Sequence, residues 1–183
     1  NPDRLFILYP YQEQAFYAIN DGIGKADRLI EKSRDMGASW VCLSVLTWRF
    51  LFRRGQTFLV TSRKEDLVDK RGDPDSLFWK VDYLINNLPF WMRPEIERVS
   101  LHFSNPSMNS VIDGESTNKD LSVGGRRTAI MLDEFAKVEE FGHRVLTGTR
   151  DTTNCRIFNS TPQGAAGAYY DIREKMKSQN PDS

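Results

Sequence analysis

The segment from Ser39 to Arg54 is the strongest constraint on how this chain can fold. Trp40, Val41, Leu43, Val45, Leu46, Trp48, Phe50, Leu51 and Phe52 spread apolar side chains over nearly every face of one helix. A helix of that kind has to be buried rather than laid on a surface. Arg53-Arg54-Gly55 supplies a basic last turn and a stop. Thr57-Phe58-Leu59-Val60-Thr61 then reads as a strand.

The same alternation runs along the rest of the chain. Helices are expected over Tyr11 to Ile19, after the extended Leu8-Tyr9-Pro10, and over Ser76 to Leu88, closed by Pro89. Others are expected over Glu139 to Leu146 and Ala165 to Lys177. Strands are expected over Asp27 to Lys32, Val99 to Phe103, Ser110 to Ile112 and Cys155 to Phe158. Thr128 to Leu132 is a fully apolar strand running into Asp133. Strands alternating with helices predict a layered α/β domain with a mostly parallel sheet.

At 183 residues the chain has room for one domain. Its 39% hydrophobic and 27% charged residues argue against disorder. A formal net charge of zero excludes a chain-wide basic footprint for nucleic acid and leaves room only for a local patch. Cys42, Cys155 and two histidines make no zinc or redox spacing, which suits a reducing intracellular compartment. The longest apolar stretch, Trp40 to Phe52, is too short to span a membrane and contains Arg49. Beginning at Asn1 without an initiator Met or a signal-like segment, the chain reads as a piece of something longer.

Three loops follow strands and carry the polar residues a reaction needs. In open α/β sheets ligands bind beyond the carboxyl ends of the strands, so the three are expected to converge. The first, Lys32-Ser33-Arg34-Asp35-Met36-Gly37-Ala38-Ser39, lies between a strand and the buried helix. Set against the phosphate-loop pattern G-x-x-x-x-G-K-[ST], Gly37 and Ser39 fall in register, whereas Lys32 stands at the first glycine and Ala38 at the lysine. Gly37 lets backbone N–H groups approach a phosphate, and the Ser39 hydroxyl can hold Mg²⁺. Lys32 or Arg34 would replace the missing cation. The second loop is Asp133-Glu134 after the apolar strand: Asp133 would ligate Mg²⁺, and Glu134 would act as general base or orient water. In the third, Asn159-Ser160-Thr161-Pro162-Gln163-Gly164, Pro162 ends a strand where hydroxyls cluster. Ser160 and Thr161 would sense the γ-phosphate there.

The stretches Lys32 to Trp40, Met131-Leu132-Asp133-Glu134-Phe135-Ala136 and Asn159 to Gly164 resemble three signature motifs of tailed-bacteriophage terminase large subunits. The resemblance covers roughly Pro10 to Arg173, and Ile112 to Ser116 through Gly124-Gly125-Arg126-Arg127 adds to it. It implies a RecA-like, P-loop ATPase fold of three layers, with helices on both faces of the sheet, over residues 1–177. Residues 178–183 would be a tail or the start of a linker to an absent nuclease domain, so no DNA cleavage is expected. The implied function is an ATP-hydrolysing, Mg²⁺-dependent motor that drives double-stranded viral DNA into a capsid. Other copies in a ring, a portal and a small terminase subunit would be its partners, in the host cytoplasm. By the resemblance Lys32 to Ser39 is the Walker A-like loop, with Ser33, Asp35, Met36 and Trp40 in or beside the nucleotide site. Asp133 and Glu134 match the Walker B carboxylates, Ser160-Thr161-Pro162 the coupling motif, and Tyr11-Gln12 the adenine-recognising segment.

Other features carry less. An arginine donated to a neighbouring subunit would come from Arg126, Arg127 or Arg150. Arg49, Arg53, Arg54, Arg63 and Lys64 form a basic group around the second strand, read as a solvated cap. His102 and His143 read as structural or surface residues, and Trp79 and Trp91 as core packing. Two rival functions stand beside the motor: a nucleotide-binding assembly module without hydrolysis, which Ala38 favours and Glu134 opposes, and a helicase-type translocase domain.

Overall fold

The computed structural model describes residues 7–117, 121, 124–138 and 140–179. Within them, α1 (Pro10–Gly22) leads to β1 (Arg28–Glu31), α2 (Ala38–Phe52) and β2 (Thr57–Ser62). A short α3 (Glu65–Val68) and α4 (Leu77–Asn86) precede β3 (Glu97–Val99), β4 (His102–Asn105) and β5 (Ser110–Ser116). After β6 (Ala129–Asp133) come α5 (Gly142–Arg150), β7 (Arg156–Ser160) and α6 (Ala168–Gln179). The seven strands form one sheet in the order β1-β7-β6-β2-β5-β4-β3. β1, β7, β6, β2 and β5 run parallel, and β4 and β3 extend the sheet antiparallel.

Alternation along the strands explains the layering, because successive side chains point to opposite faces. Phe58 and Val60 of β2, Ala129 and Met131 of β6, and Ile157 of β7 pack with α1, α2 and α4. Leu59, Ile130, Leu132 and Phe158 point the other way, onto Phe135, Val145 of α5 and Tyr169 of α6. Strands apolar on both sides belong between two helical layers, and the molecule is a three-layer α/β fold. As its composition requires, α2 is the most enclosed helix. Trp48 alone of its large residues is exposed, with the Arg53 guanidinium 5.4 Å from its ring. Cys42 and Cys155 are buried free thiols. No helix among the described residues is long and apolar enough to cross a membrane.

Several elements differ from the sequence reading. Val99 to Phe103 is no single strand: the chain reverses at Ser100-Leu101, making the β3–β4 hairpin. Leu101 adopts φ 56°, its N–H donating to Asp69 Oδ2 at 2.7 Å, while Asp69 is held by Arg98 at 2.6 Å. β5 runs on to Ser116, four residues past its expected end at Ile112. The helix expected from Glu139 begins at Gly142 instead, Glu139 itself lying outside the described residues. Residues Phe135–Lys137 are already committed to a 3₁₀ turn. A Cβ on Gly142 would sit 2.7 Å from the Ala168 Cβ, so that glycine lets α5 close on α6. Helix α6 starts at Ala168 rather than Ala165, after left-handed Gly164 and Gly167. It includes Ser178 and Gln179, which the sequence reading gave to the tail; residues 180–183 lie outside the described residues. Trp91 is 72% exposed and does no core packing, whereas Trp79 stacks on Tyr83.

Candidate active site

Parallel pairing sets the ends of β1, β7 and β6 side by side. Glu31 registers with Ser160, and Asp133 with Asn159. The loop after β1 leaves the sheet through a hydrogen bond from the Lys32 N–H to the Ser160 carbonyl at 3.2 Å. Asp35 (φ 61°) and Gly37 (φ 67°) then turn it into α2. No side chain caps that helix, so its first turn presents backbone donors where an anion is favoured.

Gln12 anchors this loop. Its Oε1 accepts from the Tyr9 N–H at 3.0 Å, and its Nε2 donates to the Met36 carbonyl at 3.0 Å. A Cβ on Gly37 would lie 2.8 Å from that Nε2. Glycine is therefore required here by both the left-handed backbone and the close approach. Gly37→Ala is expected to lower stability by about 1–2 kcal/mol in urea unfolding, because the methyl displaces Gln12 and with it the loop.

Beside Gly37 three side chains form a closed triangle. The Ser39 hydroxyl donates to Asp133 Oδ1 at 3.0 Å, and Asn159 Nδ2 donates to the same oxygen at 2.6 Å and lies 3.0 Å from Ser39 Oγ. Asp133 is 7% exposed. Burial pushes its carboxyl above the usual range, aided by the Glu134 charge, and the hydrogen bonds from Asn159 and Ser39 and the Lys32 charge only partly offset this. A carboxyl whose folded pKa is raised weakens the fold as pH climbs through it. Asp133→Asn, which keeps both hydrogen bonds, is thus expected to raise the thermal midpoint at pH 7. That gain should vanish below about pH 4, where the aspartate is itself neutral.

Ser39 Oγ, an Asp133 carboxylate oxygen and Asn159 Oδ1 are all hard oxygen donors, the kind Mg²⁺ takes. Asn159 Oδ1 is buried and lacks a hydrogen-bond partner, which leaves an acceptor unused at this spot. Among the described residues no three His, Cys, Asp or Glu side chains gather into an all-protein metal cluster.

Glu134 adopts φ 54°, ψ 31° directly after β6. Its Oε2 accepts from Arg63 Nε at 2.9 Å and its Oε1 from Lys137 Nζ at 2.6 Å. Burial pushes this carboxyl up, but the hydrogen bonds and charges of Lys137 and Arg63 outweigh it and hold the group below the usual glutamate range. Ser160 is buried, so it bridges protein segments rather than facing solvent. Its Oγ accepts from the Ala136 N–H at 3.1 Å, and its carbonyl accepts from Lys32 and, at 3.4 Å, from the Tyr169 hydroxyl. Thr161 is half-buried and Pro162 exposed.

The structure therefore gathers Lys32, Ser39, Asp133, Glu134 and Ser160 at the carboxyl ends of β1, β7 and β6. Ser33, Arg34 and Asp35 are exposed on the loop, and Ala38 is half-buried. Tyr11 stacks on Tyr9 with ring centroids 5.8 Å apart, and the Trp40 ring packs against Trp79 and Tyr83. Arg126, Arg127 and Arg150 lie towards the other end of the strands, before β6 and β7 begin. The Arg127 guanidinium is tied to Asp113, which also meets His102 Nδ1 at 2.6 Å; Arg126 and Arg150 are exposed. The basic group expected around β2 is not one patch. Arg49 binds Asn20 at the far end of α2, and Arg63 reaches Glu134. Asn159, Arg63 and Lys137 carry site contacts that the sequence reading did not assign.

No protein-family model and no curated protein matches the sequence. Solved structures do. The HK97 bacteriophage large terminase superimposes with a TM-score of 0.73 at 15% identity, covering 97% of this chain and 38% of that one. The chain has the large-terminase ATPase-domain fold. A large terminase from a thermophilic bacteriophage, solved in complex with ADP, gives a TM-score of 0.69 at 13% identity, over 95% of this chain and 44% of that terminase. The ATPase domain of the Thermus phage P74-26 large terminase gives 0.56 at 20%, over 86% of this chain and 67% of that domain. The chain thus spans less than half the length of the first two terminases.

Proposed function

We propose that this chain is an ATP-hydrolysing motor domain that works in packaging double-stranded viral DNA. The observation that carries this reading is the triangle of Ser39, Asp133 and Asn159 at the mouth of the Lys32–Ser39 loop. A strand-to-helix loop rich in backbone donors, a buried carboxylate and a serine hydroxyl are what a nucleoside triphosphate with its cation needs. The fold shared with large terminases, one of them solved with ADP, supports the same reading.

The residues divide the work as follows. Gly37 and the start of α2 cradle the phosphates, and Lys32, which acts electrostatically on Asp133, supplies positive charge in place of the lysine that Ala38 lacks. Arg34, exposed on the same loop, is the second cation. Ser39 and Asp133 would hold Mg²⁺, which when bound neutralises charge on the phosphate oxygens. Glu134 accepts the proton of the attacking water or orients it. Gln12, which holds the loop through the Met36 carbonyl, and its neighbour Tyr11 would recognise the base. Ser160, hydrogen-bonded to both Lys32 and Ala136, couples the phosphate loop to the segment after Glu134. Catalysis of this kind is mainly positioning and charge stabilisation. DNA, ring neighbours, a portal and a small subunit would be the partners, in the host cytoplasm, with Arg126 or Arg150 better placed than the engaged Arg127 to reach a neighbour.

Steady-state phosphate release from Mg²⁺-ATP across a protein concentration series tests the proposal. Turnover per chain that rises with concentration would mark a site completed by a second copy. ATP binding without release at any concentration would favour the assembly module, a reading to which the double ion pairing of Glu134 lends some support.

A further inference from the structure

Lys80 holds a buried charge that nothing nearby neutralises. It lies on α4 and is 9% exposed, and its Nζ donates to the carbonyls of Pro74, Asp75 and Ser76 at 2.9, 2.6 and 3.3 Å. Ser76 caps the amino end of α4, where the helix dipole is positive and a cation is disfavoured. Three carbonyl oxygens satisfy its N–H groups but leave the charge in place. Among the described residues no carboxylate forms an ion pair with it. Burial pushes the ammonium below the usual lysine range, and the charges of Asp133, Asp75 and Asp73 only partly offset this. Buried charges are ordinarily paired, so this one lacks a partner.

Trp40 shows where that partner would come from. Lys80 Nζ stands 5.9 Å from the Trp40 ring, which meets Trp79 and Tyr83 of α4 edge-on, with centroids 6.4 and 5.4 Å away. Trp40 follows Ser39 in the first turn of α2, the turn that presents backbone donors to an anion. We infer that Lys80 is a positioning residue whose fixed positive charge, set behind the first turn of α2, draws the phosphates of a nucleotide to the Lys32–Ser39 loop. The inference rests on the nucleotide-binding reading above and adds a second source for the charge that Ala38 does not supply. An ammonium tied to three carbonyls acts by its field rather than by contact, and a field carries further through packed side chains than through water. Arg34, exposed on the loop, is open to screening by salt, whereas a buried charge is screened much less.

The test measures Kd for ATP, ADP and adenosine in the parent and in Lys80→Gln, Lys80→Met and Lys80→Arg. Gln keeps donors for the carbonyls and drops the charge, Met drops both, and Arg keeps the charge. Lys80→Gln and Lys80→Met are expected to weaken ATP about tenfold and ADP about half as much, while adenosine, which has no phosphate, keeps its affinity. The loss should persist at high salt, and Lys80→Arg should stay close to the parent. Equal losses for all three ligands would mark a lysine that only supports the fold, and would overturn the inference while leaving the motor reading intact. Unchanged ATP affinity in Lys80→Gln and Lys80→Met would overturn it too. If one of these two variants does not fold, the other decides. A parent that binds neither ATP nor ADP would sink the nucleotide reading and this inference together.

Discussion

Replacing Glu134 by Gln is expected to lower ATP turnover by roughly 10²–10⁴-fold, the usual contribution of a positioned general base. Binding of Mg²⁺-ATP should persist. The substitution leaves the Ser39–Asp133–Asn159 triangle, the Gln12 anchor and the start of α2 untouched. An amide keeps the shape of the carboxylate but cannot accept the proton. The structural cost should be small, because the ion pairs lost are partly exposed and screened by solvent. Phosphate release measured beside nucleotide binding and urea unfolding separates these effects. Unaltered turnover in the variant would remove Glu134 from the reaction.

The largest expected loss of stability comes from Phe158→Ala, at about 3–5 kcal/mol in urea unfolding. Phe158 is fully buried on the centre of β7, its ring centroid 5.2 Å from that of Phe135, with the Arg156 guanidinium 5.4 Å from it. Truncation would leave a void between the sheet and the α5–α6 layer that neighbours on a rigid strand fill poorly. Domains of this size are stable by only about 5–15 kcal/mol, so the loss is a large share of the whole. The site should suffer too, since Asn159 and Ser160 are the next two residues of the strand. A cost under about 1 kcal/mol would mean that this layer is loosely packed.

What could be read in advance divides by range. Helix α2 and the strands β2 and β6 were legible because their patterns are local: an all-round apolar helix and apolar runs too short for helices. The three loops at strand ends pointed to the terminase fold, although the solved neighbours quoted above are only 13% to 20% identical over their length. Long-range contacts were not legible. The β3–β4 hairpin was missed because Val99, Leu101 and Phe103 alternate like one strand, while the reversal is fixed by Asp69, 32 residues from Leu101. Arg63 was read as part of a solvated basic group, since its partner Glu134 stands 71 residues away. Asn159 lay inside a motif already singled out. An amide directly after the apolar pair Ile157-Phe158 of the strand was the available signal.

The strand order also sets how stiffly each half of the site is held. Asp133 ends β6, which is paired on both sides, by β7 and β2. The Lys32–Ser39 loop hangs from β1, a four-residue strand at the margin of the described sheet whose ladder partner is β7. One jaw of the site is therefore a fixed anvil, whereas the other is a sprung arm steadied from outside by Gln12 and from within by Ser160. A change in what the loop grips would be taken up first as a tilt of that arm. Through the Ser160 carbonyl and hydroxyl, the tilt would pass to the turn that follows Glu134 before it reached the core.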